Sequence, residues 1–148
     1  MSQRLLIAIG DADLAGAASA LASESDELEV VDRVSEPEEL ARVLRRLDVD
    51  VVALHDALGT VPVMDLAREI ATSFPEVGMV LLAADPAPDL MRAAMQTGIR
   101  DVVALPLSLE QLESSARAAA QWSRALRERV SGEETAALWR AAAPPRSP

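Results

Sequence analysis

The chain has 148 residues and a mass of 15.7 kDa, the size of one ordinary domain, and half of its residues are hydrophobic. Cysteine is absent and all fourteen bases are arginine, which excludes disulfides, thiolate metal sites, thiol catalysis and any mechanism that needs a lysine. Twenty-four acids bring the net charge to −10 and the pI to about 4.5, so the body repels phosphate backbones and nucleic acid is not expected as a partner.

The first apolar run, residues 5–9, ends in Gly10-Asp11-Ala12-Asp13. It is too short for a signal peptide, and no run approaches the roughly 18 residues of a membrane helix, so a soluble, cytoplasmic protein without direct membrane insertion is expected. A helix is predicted over 13–22, with Asp11 or Asp13 suited to cap it. A second apolar run follows at 28–34 and a helix at 36–46, where Ser35 is the expected N-cap ahead of the acids Glu36, Glu38 and Glu39.

Residues 51–54 form the third run and lead into His55-Asp56; a helix is predicted over 62–73. The fourth run, 79–83, is followed by a helix over 87–97 that Gly98 closes as a left-handed cap, with Ile99 behind it. The fifth run, 102–105, stops at Pro106, and Ser108 with Gln111 has the spacing of a capping box for a final helix over 109–129.

Short apolar runs rich on both faces suit strands buried on both sides, and five strand–helix alternations predict an α/β fold: a five-stranded parallel sheet, doubly wound as in flavodoxin, with an extended C-terminal helix. The folded domain is expected over 1–130. The composition of 131–148 reads as a flexible linker or tail with a helical turn or two around 135–140.

Several chemistries fail on the residues. A P-loop requires a lysine, the Gly10-Asp11-Ala12-Asp13 turn lacks the glycines of a dinucleotide fingerprint, and no nucleophile elbow is present. His55 is the only histidine, so it has no histidine or cysteine companions for a metal site, and hydrogen bonding to nearby backbone is expected of it.

The segments SFPEVGMVLLAAD and AMQTGIRDVVALPLSLEQL resemble a response-regulator receiver domain, a likeness that covers about residues 3–122. A working receiver holds Mg²⁺ on two acids after the first strand and accepts a phosphoryl group on an aspartate that ends the third. It binds the phosphoryl oxygens with a hydroxyl at the end of the fourth strand and a lysine before the proline of the fifth. The resemblance puts His55 at the acceptor position, Ala83 at the hydroxyl position and Leu105 at the lysine position. Of the acid pair it leaves Asp11, with Asp13 as second member and a weak cation site as the most the two could form. Asp56 follows the acceptor position and is expected to turn to the opposite face unless a loop redirects it. Arg100, five residues before Leu105 and hence about 16 Å away, cannot replace the lysine.

The stretch LLAADPAPDLMRAAMQTGIRDVVALPLSLEQL is similar to the atypical receivers of TadZ/CpaE-type Flp pilus assembly proteins. That resemblance implies a module that is not an enzyme and needs no cofactor. It would dimerise and position a MinD/ParA-like ATPase domain or other pilus or secretion machinery. The alternatives from other classes are a phosphorelay receiver with Asp56 or His55 as an unorthodox acceptor, and a small-ligand sensor using the pocket vacated between Ala83 and Leu105. A homodimer through the fourth helix, fifth strand and fifth helix is expected, because Trp122, Leu126 and Val130 recur at helical spacing beyond the roughly 12–14 residues needed to cover a sheet.

Overall fold

The computed structural model describes residues 2–142, with side chains through residue 129. Ten elements alternate: β1 (Gln3–Ala8), α1 (Ala12–Ser23), β2 (Leu28–Val34), α2 (Pro37–Arg46), β3 (Val51–His55), α3 (Val63–Ser73), β4 (Gly78–Ala83), α4 (Pro88–Gln96), β5 (Asp101–Ala104) and α5 (Leu109–Ala142). All strand pairs are parallel, in the order β2-β1-β3-β4-β5. The direction of winding reverses between β1 and β3, so the expected doubly wound sheet is the observed one.

Period-two alternation of the strands divides the core into two layers. Leu6, Ala8, Val52, Leu54, Met79 and Leu81 pack beneath α2, α3 and α4. Leu5, Ile7, Val51, Ala53, Val80 and Leu82 pack beneath α1 and α5, whose inward faces are largely alanine. Small residues let these two helices lie close to the sheet. A Cβ on Gly78 would stand 2.6 Å from the carbonyl oxygen of Ala119, so β4 and the α5 backbone are in direct contact.

Local signals place most of the helix ends. Asp11 Oδ1 accepts the Leu14 N–H at 3.0 Å, and Ser108 Oγ accepts the Gln111 N–H at 3.2 Å. At the end of α4, Gly98 takes φ +100°; its N–H donates to Met95 and the Ile99 N–H to Ala94, the paired bonds of a Schellman cap. Ser35, in contrast, does not cap α2. The cap residue is Glu36, which makes no side-chain capping bond, because Pro37 occupies the first helical position and holds the preceding residue extended.

Two further expectations are corrected. The last helix does not give way near residue 130 to a linker with a turn or two of helix: its backbone continues to Ala142. Gly132 alone costs a helix about 1 kcal/mol, too little to end one among glutamate, alanine, leucine and arginine. Nor do Trp122 and Leu126 lie beyond the reach of the sheet. Both are half-buried against the domain itself, in a groove shared with Pro75, Val77 and Met79 at the N-terminal edge of β4. α5 overshoots the strands, and the loops that feed them rise to meet it. The side chain of Val130 lies outside the described residues, as do residues 143–148 of the expected tail.

Candidate functional site

In a parallel sheet of this winding, ligands and reacting groups gather at the carboxyl ends of the strands. β3 ends in His55, whose side chain is 13% exposed, and the chain enters a turn at Asp56. That turn redirects the aspartate: its Oδ1 lies 3.3 Å from His55 Nε2, so the two side chains meet at the rim instead of on opposite faces. His55 therefore pairs with a carboxylate and not with backbone, and its Nδ1 is buried without a hydrogen-bond partner among the described residues.

Ala83 ends β4 fully buried, and its carbonyl accepts the Leu105 N–H at 2.9 Å. Leu105 falls one residue after β5, at a cis bond to Pro106, and packs half-buried against the α1–α5 layer. At the end of β1 the chain continues as buried Ile9 and then Gly10, where a Cβ would come within 3.1 Å of the Ala57 carbonyl oxygen. Asp11 is spent as the α1 cap, and Asp13 is exposed in the first turn of that helix.

The structure thus brings His55 and Asp56 into one pair and ties Ala83 to Leu105 through the backbone. Among the described residues, no three His, Asp or Glu side chains converge as a metal-binding group. Among the described residues, surface grooves of 170, 250, 350 and 400 Å³ are lined by side chains other than Ala83 and Leu105. The rim offers a carboxylate and an imidazole. At the ends of β4 and β5 it offers neither a hydroxyl nor an ammonium group for phosphoryl oxygens, since Ala83 and Leu105 are aliphatic.

The fold is that of a receiver domain. The chain is similar to a response regulator receiver domain protein from Clostridium thermocellum, at 21% identity and a TM-score of 0.74, covering 84% of this chain and 98% of that one. It is similar also to the signal receiver domain of an HD domain-containing protein from Pseudomonas fluorescens Pf-5, at 19% and 0.73, covering 84% and 99%. The response regulator domain of Thermotoga maritima CheB matches at 14% and 0.74, covering 82% and 98%. Each receiver unit is spanned almost whole. The sequence matches no family profile and no curated protein. No helix among the described residues is long and apolar enough to cross a membrane.

Two polar features of this receiver fold escape sequence reasoning. Asp50, before β3, receives the Arg4 N–H at 2.9 Å and the Arg127 guanidinium at 3.2 Å. Arg100, before β5, lays its guanidinium carbon 3.6 Å from the centre of the Trp122 ring. Both join residues far apart in the chain, and neither pair belongs to a motif.

Proposed function

We propose that this chain is a non-catalytic interaction module with a receiver fold, of the TadZ/CpaE type, which pairs with a second copy and positions a MinD/ParA-like ATPase partner in pilus-assembly or secretion machinery. One observation carries the reading. The three strand ends that hold the phosphoryl group in a working receiver carry His55, a fully buried Ala83 and Leu105. A phosphoryl group on Asp56 would find neither a lysine nor a hydroxyl opposite it, so the charge that develops in transfer would go unneutralised.

With chemistry silent, function rests on surfaces. α4 buries only Ala94 and leaves Met91 and Met95 exposed at 41% and 50%, one helical turn apart. Flexible thioether side chains on one exposed helix face suit a protein contact. Beside them, the outer edge of β5 is partly closed from within. Asp101 Oδ1 accepts the Val102 N–H, and its Oδ2 accepts the Ser115 hydroxyl. Such blocking disfavours strand addition and leaves helix packing as the mode of association.

The test is the amide spectrum of residues 53–58 with beryllofluoride and Mg²⁺. An unchanged spectrum is expected. Shifts centred on Asp56 would instead favour the phosphorelay reading, with that aspartate as acceptor.

A further inference from the structure

At the end of the sheet opposite the degenerate rim, α5 passes the N-terminal ends of β4 and β5. There Trp122, Leu126, Pro75, Val77 and Met79 line an apolar groove of about 170 Å³, with Arg100 at its mouth. The Arg100 guanidinium carbon lies over the Trp122 ring, 3.6 Å from its centre, and the group forms no ion pair among the described residues. In a chain with ten more acids than bases, a cation held on an aromatic face with no carboxylate opposite it is an unused anion-binding group. A guanidinium carries five N–H donors, and a ring contact through its carbon satisfies none of them as a carboxylate would.

We propose that this groove binds a small apolar monocarboxylate, its hydrocarbon part between Trp122 and Leu126 and its carboxylate on Arg100. Size and charge choose this occupant. The volume lies below the roughly 300 Å³ at which sites for drug-sized ligands begin, so the guest is about as large as one big side chain. A protein partner rich in acids would be repelled by the net charge of −10, whereas a single carboxylate meets mainly the local cation. Burial lowers the pKa of Arg100 from the ordinary arginine value, yet the group stays charged at any working pH.

The probe is hexanoate, followed through the indole N–H resonance of Trp122 in the full chain, with Trp139→Phe identifying the signal. The expected result is a saturable shift in the millimolar range, with hexan-1-ol binding about tenfold more weakly for want of the charged contact. Arg100→Gln should bring hexanoate down to the level of the alcohol. Ala71→Leu, which fills the groove, should weaken both ligands while leaving the rest of the spectrum folded. No saturable shift with hexanoate, equal binding of acid and alcohol, or full binding in Arg100→Gln overturns the proposal. None of these results bears on phosphorylation, so the reading of the degenerate rim stands or falls separately.

Discussion

Arg127 in α5 reaches across the lower edge of the sheet to Asp50: its Nη1 lies 3.2 Å from Asp50 Oδ1, and its Nη2 donates to the Val49 carbonyl at 3.1 Å. One turn earlier, the buried hydroxyl of Ser123 donates to the carbonyl of Glu76. Two points of attachment hold the helix past the strands it covers. The α5 backbone therefore continues past residue 129 from an anchored base.

Asp50→Ala is expected to destabilise the fold by roughly 2 kcal/mol, mostly by stranding the Arg4 N–H. The ion pair itself contributes little, because Arg127 is 39% exposed and water screens it. A double-mutant cycle with Arg127→Ala in urea should give a coupling of about 1 kcal/mol or less. A coupling as large as the whole Asp50→Ala effect would show that the ion pair dominates.

Gly78→Ala tests the contact between β4 and α5. The new methyl would stand 2.6 Å from Ala119 O and 2.9 Å from its carbonyl carbon, and backbone cannot step aside as a side chain can. The expected loss is about 1–3 kcal/mol, read from the urea midpoint. Full stability in the variant would mean that α5 sits further from the sheet than described.

Acetyl phosphate with Mg²⁺ should leave the mass of the intact chain unchanged. A base-labile adduct of one phosphoryl group on Asp56 is the contrary outcome. His55→Asp, which places a carboxylate at the acceptor position, should still label poorly, because Ala83 and Leu105 remain.

Truncation after Arg129 keeps Trp122, Ser123 and Arg127 in place. The melting temperature of the remaining domain should change by less than about 4 °C, the shift that roughly 1 kcal/mol produces. A larger fall would show that residues beyond 129 pack on the domain.

Association should respond to α4. Sedimentation at micromolar concentration is expected to show a dimer, and Met91→Glu with Met95→Glu should dissociate it, since both methionines are exposed and neither supports the core. A wild-type monomer, or a dimer indifferent to both changes, removes the pairing from the proposed function.

The sequence by itself determined the architecture and which side chains stand at the carboxyl ends of the strands. Apolar runs buried on both faces leave few ways to fold, and the Gly98 and Ser108 signals act within a turn of their own position, so they read the same in chain and structure. His55, Ala83 and Leu105 could be placed at strand ends because strand ends follow from where the runs stop. Three matters awaited the tertiary structure. Asp56 meets His55 because a turn overrides the alternation of the strand. α5 continues because nothing near Gly132 outweighs its helix formers. Trp122, spaced like a dimer stripe, covers its own domain, since apolar periodicity marks which face of a helix is buried but not against what. That last choice belongs to the loops at the foot of β4 and β5, which bring Pro75 and Arg100 to Trp122 from distant parts of the chain.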